Sequence, residues 1–229
     1  MTLHDAQAAI VAEPGCISTF AWLKRDDAEQ FTLPIGNGLG QLIPVTERHD
    51  GDAQLLEVFG RWRTENSFAF PTQFPVTTDG TARWLRRGLL DVRDRLLFLL
   101  HAADGTLVGH LGYANCLASA GEMEIDNVVR GVKGAHPGIM EAAMFALTKW
   151  ADDAFAPSLI FLRVFSHNEH AVRFYERCGF TAAGLLPLRR TVEGDRIIFA
   201  TPSEGDIREP DAFFLRMELR RRQIQRTDC

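Results

Sequence analysis

The chain has 229 residues, 46% hydrophobic and 24% charged, which suits a soluble globular protein with a sizeable core. Its net charge of −5 and pI near 5.8 give no global attraction to nucleic acid or to an anionic membrane, so both partners are excluded from the expectation. Cys16, Cys116, Cys178 and Cys229 show neither metal-ligand nor disulfide spacing, and MTLHDAQAAIVAEPG lacks a basic start and a long apolar run; reduced thiols, no metal and a cytoplasmic location are expected.

Residues 1–38 read as an N-terminal extension, with a short helix before Pro14, another around Ala21 to Phe31, and a turn over Pro34 to Gly38. One domain is expected over 39–229. Leu39 to Thr46 reads as a strand, and the spacing of Leu55, Leu56, Phe59 and Trp62 predicts a helix over Ala53 to Arg63. Pro71 and Pro75 then interrupt, and Phe68, Phe70 and Phe74 make the intervening loop apolar. Thr81 to Arg95 reads as a helix whose face of Arg83, Arg86, Arg87, Arg93 and Arg95, partly offset by Asp91 and Asp94, is either a solvated surface or a contact for the phosphates of CoA or an acceptor.

Leu96 to His101 and Thr106 to Ala114 predict a hairpin around Asp104-Gly105. Met123 to Arg130 suits a buried strand, with Glu124 and Asp126 on one face by the period of two. Three glycines and Pro137 follow within Gly131 to Gly138, a tight turn whose backbone N–H groups are free to face an anion. Ile139, Met140, Ala143, Met144, Leu147, Trp150 and Ala151 repeat at three- and four-residue spacing, so a helix leaves the turn with its N-terminus ready for a phosphate.

Ser158 to Phe165 reads as the next strand, and Ser166 to Glu169 has the form of a capping box starting a second helix near Ser166. That helix stops at Gly179-Phe180. Asn168, Ala171 and Tyr175 share one of its faces, presenting an amide and a phenol together. Thr181 to Leu188, Arg196 to Thr201 and Ala212 to Leu219 supply the last strands, and Arg216, Arg220, Arg221, Arg222 and Arg226 form a local basic patch near the end. The predicted fold is α/β in the mixed α+β sense: a mostly antiparallel central sheet of about six to seven strands with helices on both faces.

The run SHNEHAVRFYERCGF resembles the asparagine, alanine, phenylalanine-tyrosine and glycine-phenylalanine signature of the GCN5-related N-acetyltransferases, and VVRGVKGAHPGIM resembles that family's pyrophosphate-binding turn. The resemblance implies acetyl-CoA as co-substrate. It implies that backbone around Val128 and Val129 pairs with the pantetheine arm, that Lys133 to Ile139, including Gly134, His136 and Gly138, cradles the pyrophosphate, that Asn168 holds the pantetheine or phosphate portion, and that Tyr175 protonates the departing thiolate. The turn departs from the family pattern, with Ala135 at the basic position and Met140 at the final small one, which leaves Lys133 and His136 as its polar groups.

The transfer also needs a base for the amine and a donor for the oxyanion. Glu124, Asp126 and His136 stand as alternatives for the base, against structural hydrogen bonding for each. The aromatic loop over Phe68 to Pro75 is either packed on the core or, as in the family, the acceptor wall. A fainter likeness points to transferases acting on nucleotide-linked amino sugars; a small amine, a peptide N-terminus, or a non-catalytic acyl-CoA-binding module are the alternatives, and family members often form homodimers.

Overall fold

The structure is a computed structural model that describes residues 15–116 and 121–220. The helix expected before Pro14, the arginines at 221, 222 and 226, and Cys229 lie outside the described residues. Helix α1 (Cys16–Leu23) and a 3-10 turn (Asp26–Gln30) lead into β1 (Leu33–Ile35) and β2 (Gly40–Pro44). Helix α2 (Ala53–Glu65) follows, N-capped by Asp52, whose carboxylate accepts from the Gln54 and Leu55 backbone N–H groups.

The aromatic loop contains a two-residue strand, β3 (Thr72–Gln73). Helix α3 (Thr78–Arg83) continues into a wider-wound turn over Trp84–Leu90, closed by Asp91 N–H donating to the Arg86 carbonyl five residues back. Then come β4 (Leu96–Ala102), β5 (Leu107–Ala114), β6 (Glu122–Arg130), α4 (Ile139–Phe155), β7 (Leu159–Phe165), α5 (Glu169–Arg177), β8 (Thr181–Glu193), β9 (Arg196–Ala200) and β10 (Ala212–Arg220).

Among the described residues ten strands form the sheet, in the order β1-β2-β4-β5-β6-β7-β10-β8-β9-β3. This is more than the six or seven expected. Beyond the eight segments that read as strands in the sequence, the additions are short edge pieces that periodicity cannot register, β1 pairing Leu33 to Leu42 and β3 pairing Thr72 to Ile198. Strand β8 also runs on to Glu193, five residues past its expected end.

Alternation along β4 shows how the two layers form. Leu96, Phe98 and Leu100 join the cluster under α1 and α4, while Leu97 and Leu99 join the one under α2 and the 84–90 turn. Phe20, Leu23, Phe31, Leu33 and Ile35 belong to the first cluster, so the stretch before Leu39 contributes side chains to the core.

One pairing opens the sheet. Strands β6 and β7 run parallel and pair only through Glu122↔Leu159, Met123↔Ile160 and Glu124↔Phe161. Beyond Glu124, β6 stays with β5 out to Arg130 while β7 stays with β10, and the two diverge. The other pairings among the described residues are antiparallel.

Candidate active site

The divergence of β6 from β7 makes a cleft of about 820 Å³. Its walls are β6 from Glu124 to Arg130, the start of the following turn at Lys133 and Gly134, the first turn of α4, helix α5, the aromatic loop, and residues of β8, β9 and β10. That volume lies within the range of small-molecule and cofactor sites.

A bulge shapes the β6 wall. Gly112 pairs with Asp126 and His110 with Val129, so Asn127 and Val128 together stand opposite the single residue Leu111. Asn127 takes the left-handed conformation, φ 53°, which asparagine tolerates better than most side chains. Its carbonyl lies 2.7 Å from His110 Nδ1, and the His110 ring packs 5.2 Å from Phe59 and 5.8 Å from Trp62, centroid to centroid. Burial holds the imidazole neutral, with its pKa pushed down from 6.5 to about 4. A carbonyl only accepts, so Nδ1 carries the hydrogen.

The turn after β6 is tied down by the strand it leaves. Arg130 donates from Nε to the Val132 carbonyl at 3.0 Å and from Nη2 to the Ala135 carbonyl. Gly131 lies against the Trp62 indole so closely that a Cβ there would sit 1.7 Å from Cε2. Gly134, His136 and Gly138 all have positive φ, and Gly138 stands at the N-cap of α4 without any side-chain cap. The helix therefore presents backbone N–H groups, with its positive dipole end, toward the turn. Lys133 and Gly134 line the cleft. His136 does not; its Nε2 lies 3.7 Å from Asp104. Gly138 and Ile139 are also off the cleft wall, and Ile139 is buried in the core.

Helix α5 begins at Glu169 rather than near Ser166. Asn168 is its N-cap, with Oδ1 accepting from Ala171 N–H at 3.2 Å, and the chain from Phe165 to Asn168 makes a tight turn instead. Gly179 ends the helix at φ 91° as expected, and Phe180 packs back beside Tyr175. Asn168, Ala171, Phe174 and Tyr175 face the cleft. The Tyr175 phenol is raised above its ordinary value, first by burial and then by the Asp126 carboxylate, so it stays protonated at neutral pH.

The two carboxylates differ in surroundings. Glu124 is 4% exposed, receives both Arg163 Nε at 2.7 Å and Nη2 at 3.0 Å, and accepts from Asn115. Asp126 is partly exposed, accepts from Asn127 Nδ2 at 2.9 Å, and lies 3.6 Å from Arg95. Thus Glu124 is tied on both oxygens, while Asp126 is held loosely. Val128 and Val129 both contribute to the β6 wall.

Arg163, Arg130 and His110 were not singled out by sequence reasoning. Arg163 carried a readable signal: a charge inside the apolar run Leu159–Phe165 needs a partner across the sheet. Three arginines of the two basic clusters are engaged away from the cleft. Arg86 pairs with Asp91 and Asp50, Arg216 with Glu122 and Glu218, and Arg220 with Glu218. Cys16 and Cys116 are buried free thiols; Cys178 is free and half-buried.

A strand bulge, a glycine turn into an uncapped helix N-terminus and a tyrosine-bearing helix border one cleft. The family model described as "Acetyltransferase (GNAT) family" matches residues 59–180, more than half of the chain. The chain belongs to the acetyltransferase (GNAT) family. The acetyltransferase is similar in fold to a probable GNAT-family acetyltransferase from Chromobacterium violaceum, with TM-score 0.62, 19% identity, and 86% of this chain and 88% of that chain covered.

It is likewise similar to spermidine N-acetyltransferase from Vibrio cholerae in complex with CoA and spermine, with TM-score 0.61, 14% identity, and coverage of 83% and 99%. A third is RimL, a ribosomal L7/L12 alpha-N-protein acetyltransferase in complex with CoA, at TM-score 0.57, 14% identity, and coverage of 83% and 98%. No curated protein matches the sequence significantly. The protein is a GNAT-type N-acetyltransferase with acetyl-CoA as co-substrate. Among the described residues no helix is long and apolar enough to cross a membrane.

Proposed function

We propose that this acetyltransferase moves an acetyl group by direct attack onto the primary amine of a small molecule or peptide N-terminus, within the cleft between β6 and β7. The observation that carries the reading is the arrangement of a protonated Tyr175 and a partly free Asp126 on opposite walls of that cleft.

The fit for acetyl-CoA rests on the turn from 131 to 138. It joins left-handed glycines, Lys133 and an uncapped N-terminus of a 17-residue helix, a donor set suited to a pyrophosphate. Lys133 and Gly134 hold the phosphates, and the first turn of α4, where Met140 and Glu141 line the cleft, contributes backbone N–H groups; the Ile139 N–H is taken by the His136 carbonyl. His136 is turned toward Asp104 and serves the turn. Val128 and Val129 offer strand edge to the amide arm, and Asn168 borders it from α5. Acetyl-CoA supplies an activated acyl carbon and a thiolate leaving group.

Asp126 takes the proton of the incoming amine, directly or through water. Glu124, neutralised by Arg163, orients that wall. The amine nitrogen bonds to the acyl carbon, the carbon–sulfur bond breaks, and Tyr175 gives its proton to the sulfur. Backbone N–H at the Val128 bulge donates to the acyl oxygen.

A nucleotide-linked amino sugar is the less favoured acceptor. Its diphosphate would need a spare cation, whereas Arg163 is committed to Glu124 and Arg177 to Glu141. The test is amine-dependent release of CoA thiol, followed with a thiol reagent, for a panel of primary amines. Release that depends on amine and saturates supports the proposal; acetyl-CoA hydrolysis indifferent to every amine contradicts it.

A further inference from the structure

The end of the cleft away from the α4 N-terminus is walled by Phe68, Phe70 and Pro71 from the aromatic loop, Leu188 from β8, Phe199 from β9 and Phe214 from β10. Phe68 is 57% exposed, an apolar ring held open to solvent. The wall is prebuilt. Arg63 lies with Cζ 3.5 Å from the Phe70 ring centroid and donates to the Thr72 carbonyl at 2.7 Å, and Phe199 N–H donates to the Pro71 carbonyl at 2.7 Å. Phe165 packs on Phe199 at 5.2 Å and on Phe214 at 4.8 Å, centroid to centroid. A rigid apolar wall binds without the entropy cost of ordering itself.

The charges around this wall narrow the occupant. Phe70 already has Arg63 against its face, and Phe214 has Arg163 at 5.9 Å. An ammonium seeking a ring face meets a guanidinium there first, and like charges repel. The acidic groups on the cleft are Glu124, Asp126 and Glu141; Glu124 is bound to Arg163 and Glu141 to Arg177. Asp126, whose arginine neighbour Arg95 stands off at 3.6 Å, is the least tightly paired of the three and is left for a single amine. Among the described cleft-lining residues a polyamine therefore finds no further unpaired carboxylate, and Arg63, the guanidinium at this end, is taken up by the Phe70 ring and the Thr72 carbonyl.

We infer that the acceptor is a primary amine carried on an uncharged apolar body of aryl or branched-alkyl size, seated against Phe68, Phe70 and Phe199. The inference rests on the proposed function and names its substrate class. Matched amines test it: 2-phenylethylamine and isoamylamine against ethylamine, 1,4-diaminobutane, spermidine and UDP-glucosamine, each with saturating acetyl-CoA.

The expected result is a kcat/KM for 2-phenylethylamine at least about tenfold above ethylamine, with isoamylamine between them and the charged acceptors no better than ethylamine. Phe68→Ala, at an exposed ring whose loss leaves the core intact, lowers the phenylethylamine-to-ethylamine preference by about tenfold, chiefly through KM. Equal rates for phenylethylamine and ethylamine, or a preference for spermidine or UDP-glucosamine, overturn the inference and leave acetyl transfer standing. If acetyl-CoA binds and no amine is acetylated, the proposed function falls and the inference falls with it.

Discussion

Replacing His110 by Phe keeps a flat ring between Phe59 and Trp62 but removes the one donor 2.7 Å from the Asn127 carbonyl. His110 is 5% exposed, so that carbonyl loses its partner where water does not readily replace it, at a cost of about 1–3 kcal/mol. At pH 7.5 the variant should be less stable than wild type by that amount.

The gap then closes as the pH falls. In wild type the folded pKa of about 4 lies below the ordinary 6.5, so the unfolded chain binds the proton first and stability is lost as pH falls through this window. The separation corresponds to about 3 kcal/mol at about 1.4 kcal/mol per unit. The phenylalanine variant lacks this loss. Urea unfolding followed by tryptophan fluorescence at pH 7.5, 6 and 5 measures the difference, with other titrating groups common to both proteins. A variant as stable as wild type at pH 7.5, or one whose stability runs parallel to wild type across the series, would refute the role given to His110.

Tyr175→Phe should lower kcat by about 100-fold while leaving acetyl-CoA affinity near wild type, read by steady-state kinetics and calorimetric titration. Gly131→Ala forces a methyl into the Trp62 ring and should cost about 1–3 kcal/mol or more of stability, seen as a lowered Tm and weaker acetyl-CoA binding. Arg163→Met leaves the buried Glu124 carboxylate with Asn115 alone and should destabilise by about 1–3 kcal/mol, most of it recovered in the double variant with Glu124→Gln; denaturant melts of the cycle report this.

The middle of the chain was legible because its elements are long and periodic. Met123 to Arg130 and the stripe from Ile139 to Ala151 announce themselves by alternation and by helical spacing, and the structure has β6 and α4 there. The asparagine, tyrosine and glycine of the second helix were placed on the right element, but its start was put three residues early. Ser166 and Glu169 have the capping-box pattern, yet Asn168 makes the hydrogen bond. Local pattern alone does not choose between two capping residues so close together.

The pieces that escaped depend on distant partners. Strand β3 has two residues between prolines and exists because β9 pairs with it. The bulge at Asn127 is a mismatch in count between two strands, invisible until both are laid side by side. His110 and Asn127 lie 17 residues apart, and the acceptor is a backbone carbonyl, which no side-chain motif records. The acceptor wall likewise joins the loop at Phe68 to Phe199 and Phe214, residues brought together only by the sheet order β10-β8-β9-β3.

Amide hydrogen exchange with and without saturating acetyl-CoA tests the central claim most directly, because it reads the backbone the cleft is made of. The account predicts slowed exchange over the β6 edge from Ile125 to Arg130, through the turn to Ile139, and at the start of α5 around Asn168, with the Leu96–Ala102 strand on the far side of β5 unchanged. Saturable binding that leaves the 125–139 segment unprotected would place acetyl-CoA elsewhere and contradict it.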